Sequence, residues 1–170
     1  VTSGPGELVA LGGGEGDLVP DVEVWRSTTE SLTLRDLAGE SPYLLLSYLF
    51  DWSSTCTNEL SELNARRSEL LETGVTPYGI SRDSPWSHVA WSQALDIEVP
   101  LLSDWTGEAV RALEIVQEFR GLPDVARRAA FSASVAFERT HAIRSACFAS
   151  SRGRRPNPSS QRRFSNAQAC

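Results

Sequence analysis

Residues 43–50 read YLLLSYLF, and this run constrains the fold more than any other stretch of the chain. It has strand length, and it lacks the apolar–polar alternation of a strand with one face in water, so it reads as a strand buried on both faces. Such a strand needs cover on both sides of its sheet. The flanking sequence offers it. From Thr57 the pattern changes to Leu60, Leu63, Leu70 and Leu71 at helical spacing, with Glu59, Glu62, Arg66 and Arg67 between them, and Gly74 closes the segment. Residues 75–81 read as a second strand. Ser84 and Pro85 open a helix that runs to about Leu95. Residues 98–104 form a third strand, Thr106 opens a third helix over 107 to about 119, and residues 127–137 read as a fourth strand. Upstream, residues 17–24 and 31–41 both alternate and predict an N-terminal β-hairpin, preceded by a glycine-rich flexible arm over residues 1–16. Strands alternating with helices predict an α/β layer fold.

Charge divides the chain in two. All 16 basic residues are arginine. Residues 1–132 carry nine arginines against 21 acids, a balance of −12, whereas residues 133–170 carry seven arginines against Glu138 alone. An acidic, lysine-free body stays hydrated at high salt and argues against nucleic acid as its partner. No run approaches the roughly 18 apolar residues of a membrane span. The opening lacks the basic and apolar regions of a secretory signal, and three unevenly spaced cysteines make no disulfide framework. A cytoplasmic location is the expectation. Residues 1–137 form the expected domain, and residues 138–170 an arginine- and serine-rich tail without periodicity.

Cys56 sits where the apolar strand gives way to the helical pattern, in DWSSTCTNEL. Free N–H groups and the helix dipole favour a thiolate in a first turn, and the thiolate is the nucleophilic form. The helix terminus contributes about 0.3–1 kcal/mol. A drop of two to three pKa units takes roughly 3–4 kcal/mol, so a nearby cation is needed as well. Ser53, Ser54, Thr55 and Thr57 surround the thiol with hydroxyls that donate to a sulfur anion or a peroxide oxygen. The alternative is a small buried cysteine ahead of a Ser/Thr-capped helix. No Cys-x-x-Cys occurs and neither His88 nor His141 has ligand spacing to Cys56, so no metal is expected. His88 reads as a helix-surface residue.

Four segments in order resemble the peroxiredoxin family, thiol peroxidases on a thioredoxin-like fold, and most of all its bacterioferritin-comigratory and one-cysteine branch. They are GDLVPDVEV, LRDLAGESPYLLLSYLFDWSSTCTNEL, GISRDSPWSHVAW and VPLLSDWTGEAVRAL, within residues 16–131. The resemblance implies a central mixed sheet flanked by helices and an N-terminal β-hairpin. It implies Cys56 as the peroxidatic thiol, Ser53 at the family's Thr/Ser position and Arg128 as the distant cation, with Arg127 the alternative if the register slips by one. Thr55 would assist through its backbone N–H, and Glu59 would orient Arg128. The family's proline position holds Leu49. The position five residues beyond Cys56, where many members of the branch place a resolving cysteine, holds Ser61. That favours a one-cysteine cycle with an external thiol reductant, thioredoxin-like or low-molecular-weight; Cys147 and Cys170 are the other candidates for resolution. The substrate implied is hydrogen peroxide or an organic hydroperoxide. No cofactor is implied, nor nucleic acid or membrane, and a homodimer stays open.

After Phe131 the family's Asp-Gly turn, strand and C-terminal helix are not recognisable. A reading-frame shift near codon 131 accounts for this together with the compositional break; a lineage-specific tail is the alternative. Two rivals to the peroxidase reading are a non-catalytic interaction protein on the same fold and a thioredoxin-like disulfide oxidoreductase. The missing second cysteine disfavours the latter.

Overall fold

The computed structural model describes residues 8–11 and 17–135. In chain order the elements are β1 (Leu8–Leu11), β2 (Asp17–Leu18), β3 (Glu23–Trp25), β4 (Ser31–Thr33), α1 (Leu34–Glu40), β5 (Tyr43–Ser47), α2 (Ser54–Ala65), α3 (Arg67–Glu72), β6 (Thr76–Ser81), α4 (Pro85–Leu95), β7 (Leu101–Ser103), α5 (Glu108–Ala112), β8 (Val116–Phe119), β9 (Leu122–Ala126) and β10 (Ala129–Val135). Among the described residues, eight strands form one mixed sheet in the order β2-β1-β10-β5-β6-β7-β3-β4, and β8 and β9 form a separate hairpin. The chain has a thioredoxin-like fold.

The apolar run 43–50 supplies the centre of the sheet. β5 pairs with β6 in parallel and with β10 antiparallel, and it is covered on both faces. Tyr43 and Leu45 join Tyr78, Ile80, Leu102 and Phe131 under α1 and α5. Leu44 and Leu46 face the second cluster, in which Tyr48, Cys56, Leu60, Trp91 and Leu101 pack beneath α2 and α4. Regular pairing stops at Ser47, and residues 48–53 carry the chain from the sheet into α2.

Several expectations are corrected. Ser31–Thr33 pairs with β3 as the predicted hairpin, but the segment 31–41 turns helical from Leu34. Thr33 and Asp36 form a reciprocal capping box, with the Asp36 N–H donating to Thr33 Oγ1 at 3.0 Å and the Thr33 N–H to Asp36 Oδ2 at 3.1 Å. Leu34, Leu37 and Ala38 then share the buried face. Part of the expected flexible arm is a strand, since residues 8–11 pair antiparallel with β10; the rest of the arm, apart from residues 8–11, lies outside the described residues. The segment from Thr57 to Gly74 is two helices, broken at Arg66. The third helix ends at Ala112 instead of about 119. Glu114 turns left-handed (φ 57°), and residues 116–126 form a hairpin whose two turn residues, Arg120 and Gly121, both have positive φ (51° and 83°). Two such residues in succession match the twist of a tight hairpin. The tail over 138–170, with Cys147 and Cys170, lies outside the described residues.

Gly79 on β6 lets α2 approach the sheet. A Cβ there would lie 2.7 Å from Leu101 Cδ2, 3.1 Å from Leu60 Cδ1 and 3.2 Å from Tyr48 Cε1. Leu60 is one turn beyond Cys56. Gly79→Val therefore overpacks the contact that seats α2, and it should lower stability by about 1–3 kcal/mol. Urea unfolding measures this, and a midpoint equal to that of the wild type would show that the contact yields freely.

Candidate active site

Ser53 ends the strand-to-helix crossing as the N-cap of α2, with extended backbone (φ −73°, ψ 127°). Its carbonyl accepts from the Thr57 N–H at 2.8 Å, while its hydroxyl makes no cap hydrogen bond. Ser54 and Thr55 are exposed, and Cys56 is the third residue of the helix, 1% exposed. The first-turn N–H groups thus lack a Ser53 side-chain acceptor and face the end of the helix, where they stabilise negative charge. The preceding residue, Trp52, is exposed and left-handed (φ 62°), an uncommon conformation for a bulky residue. Leu49, in the proline position, packs against the apolar cluster that holds Cys56.

Arg128 meets this helix through Glu59. Its Nη1 donates to Glu59 Oε1 at 3.0 Å, and Glu59 lies three residues beyond Cys56, on a neighbouring site of the helix surface. The register of β5 and β10 puts the arginine there. Ala129 is opposite Ser47, and the Ser47 hydroxyl donates to the Arg127 carbonyl at 2.6 Å while accepting from the Ala129 N–H at 3.0 Å. Arg127 is tied down by its backbone, its N–H donating to the Ile115 carbonyl at 2.7 Å. Arg128 is the one that pairs with Glu59. The second carboxylate oxygen, Glu59 Oε2, is buried without a hydrogen-bond partner among the described residues.

Behind the crossing lies a buried polar network that sequence reasoning missed. Tyr48 Oη donates to Asp51 Oδ1 at 2.9 Å, and Ser87 Oγ donates to Asp51 Oδ2 at 2.7 Å. His88 Nδ1 lies 2.9 Å from Asp51 Oδ2, and His88 Nε2 lies 3.2 Å from the Leu102 carbonyl. The imidazole thus bridges the Asp51 carboxyl group and the Leu102 carbonyl, and both side chains of the pair are almost wholly buried. The Asp51 N–H donates in turn to Asp83 Oδ2 at 2.9 Å, which also accepts from Ser81 Oγ at 2.8 Å. Burial raises the Asp83 carboxyl above its ordinary value, with the Asp51 carboxylate pushing the same way against these donors and His88. Burial, with the Asp51 charge adding to it, raises the Tyr48 phenol well above its ordinary value, so it stays a hydrogen-bond donor.

The expectation that His88 is a surface residue is thus wrong. On α4 the buried residues are Pro85, His88 and Trp91, while Trp86 and Val89 are exposed. The stripe of Trp86 and Val89 is the more apolar one and points the wrong way. The usable signal was the spacing of His88 three residues before Trp91, together with an acid, Asp51, at the end of an apolar strand.

The chain matches the AhpC/TSA family over residues 16–143. It is 31% identical over 108 residues to "1-Cys peroxiredoxin B" of Oryza sativa subsp. japonica, which covers 59% of this chain and 49% of that protein. The chain thus spans about half the length of the curated relatives it matches. Among solved structures, it resembles the Xanthomonas campestris bacterioferritin comigratory protein at 26% identity and a TM-score of 0.59, covering 66% of this chain and 73% of that one. It also resembles the peroxiredoxin 6 of Arenicola marina at 26% identity and a TM-score of 0.61, covering 69% and 58%.

The two polar pairs, His88–Asp51 and Arg128–Glu59, should differ in energy. His88→Ala removes a buried hydrogen-bond partner from both Asp51 and the Leu102 carbonyl and should cost about 1–3 kcal/mol of folding stability. Arg128→Ala removes a pair whose arginine is half exposed and should cost no more than about 1 kcal/mol. Urea unfolding of both variants checks this; equal small losses would contradict a hydrogen bond held out of water between His88 and Asp51.

Proposed function

The chain belongs to the AhpC/TSA family, and on that premise we propose that it is a thiol peroxidase reducing hydrogen peroxide and organic hydroperoxides at Cys56. The observation that carries the reading is Cys56 in the first turn of α2 with Arg128 tethered to the same helix through Glu59. The Cys56 thiolate attacks the terminal peroxide oxygen. An S–O bond forms as the O–O bond breaks, the sulfur is oxidised to a sulfenic acid, and the leaving oxygen takes a proton to depart as water or an alcohol. Ser53 and Arg128 hold the peroxide oxygens and stabilise the charge that moves onto the leaving one, assisted by the N–H groups of Thr55 and Cys56. Glu59 orients Arg128.

An external thiol then condenses with the sulfenic acid, releasing water and giving a mixed disulfide, which a second thiol reduces. Ser61 in the position five residues on supports this one-cysteine cycle. A thiol reductant also fits a reducing compartment such as the cytoplasm. Among the described residues, no helix is long and apolar enough to cross a membrane.

The resting thiol is buried, so peroxide reaches it through the end of α2. The exposed Ser54 and Thr55 and the missing side-chain cap make that turn the easiest part of the helix to open. Substoichiometric hydrogen peroxide with a sulfenic-acid trap should give a single adduct, mapped to Cys56 by mass spectrometry and lost in Cys56→Ser. Ser53→Ala should fold normally and lower the peroxide rate constant by about 100-fold. A folded protein that leaves peroxide untouched at Cys56 would sink the peroxidase reading and favour the non-catalytic one.

A further inference from the structure

We propose that Asp51, held by His88, Ser87 and Tyr48, is the positioning residue for the peroxide-binding loop that runs from β5 into Cys56. The proposal rests on the peroxidase reading and adds to it residues that touch neither the peroxide nor the sulfur. The crossing from Tyr48 to Ser53 lacks the family's proline and contains a left-handed Trp52, so nothing in its own covalent structure fixes its path. Asp51 fixes it from outside. Its carboxylate accepts from Tyr48, Ser87 and His88, and its N–H donates to Asp83, so it is held from both side chain and backbone. Ser53, the residue placed on the peroxide, follows two residues later, and Cys56 three after that.

The anchors on the other side are rigid. Ser87 and His88 lie in the first turns of α4, whose N-cap, Ser84, accepts from the Ser87 N–H at 3.2 Å. His88 is fixed at its far nitrogen by the Leu102 carbonyl of β7. Asp83 is fixed by Ser81 at the end of β6. The loop therefore takes its geometry from β6, β7 and α4. A shift of about 1 Å in a reacting group is enough to cost on the order of 100-fold in rate.

The variants are Asp51→Asn, Ser87→Ala and Ser87→Thr. Each is compared with the wild type in two reactions of Cys56 at one pH: oxidation by hydrogen peroxide and alkylation by iodoacetamide. Alkylation needs a reachable thiolate but no peroxide-binding geometry. Asp51→Asn should lose on the order of 100-fold in the peroxide rate constant and Ser87→Ala about tenfold, with alkylation unchanged or faster. Ser87→Thr, which keeps the hydroxyl, should return most of the loss. A purely structural role would lower the unfolding midpoint and leave the ratio of the two rates unchanged, and that result overturns the proposal. If Asp51→Asn does not fold, the pair of Ser87 variants decides by the same ratio. A wild-type protein that alkylates at Cys56 but ignores peroxide defeats the peroxidase reading itself. A wild type that reacts, with folded variants that react equally, defeats only the role of Asp51.

Discussion

A carboxylate taken wholly out of water must be met by donors on every side, and the Asp51 side chain has no exposed surface. Its partners come from the end of β5 and from α4, and its own N–H reaches a carboxylate at the end of β6. Satisfying one group thus fixes three elements relative to one another, and His88 extends the constraint to β7 through the Leu102 carbonyl. The parallel strands β5, β6 and β7 are joined at their carboxyl ends, the end from which α2 starts and where ligand sites form in α/β sheets. Hydrophobic burial assembles the two layers. It does not say where residues 48–53 run, because burial is not directional; the polar network does.

The two halves of the proposed site are 72 residues apart in sequence, Cys56 at the start of α2 and Arg128 just before β10. Ser47 joins them. It is the last residue of β5, so its position is tied to the crossing that leads to Cys56, and its hydroxyl holds the backbone on either side of Arg128. The Glu59 carboxylate then draws the arginine onto α2. A one-residue slip between β5 and β10 would turn Arg128 to the other face of the sheet and present Arg127 in its place. Register, more than the exposed ion pair, specifies which arginine meets Glu59.

What was legible in the sequence follows from how local each signal is. The buried strand, the Pro85 helix start and the placement of Cys56 in a first turn depend on a few adjacent residues and agree with the structure. So does the Arg128–Glu59 pairing, because it came with the whole motif pattern. The short α1 was misread as strand, since Leu32, Leu34 and Leu37 allow alternation at first and only the Thr33–Asp36 capping box decides. The first strand of the hairpin, residues 116–119, was misread as helix because the left-handed turn at Glu114 falls on a residue that favours helices as readily. His88 was misread for a different reason. Its burial depends on Asp51, 37 residues earlier, and no local pattern carries that information.

Proline and a buried hydrogen-bonded acid fix a loop in different ways. Proline restricts φ in the unfolded chain as well as in the folded one, so its effect needs no neighbours. The Asp51 network acts only when β6, β7 and α4 are in place, so the shape of this loop is conditional on the rest of the fold. That condition is useful beside an uncapped helix end. Upstream of Ser53 the chain is held by four hydrogen-bond partners on one residue, Asp51, while downstream Ser54 and Thr55 are exposed and the first turn lacks its side-chain cap. Opening of the turn to admit a substrate therefore need not disturb the loop that positions it. Geometry is kept on one side of Ser53 and exposure on the other, and Cys56 lies within the first turn on the exposed side.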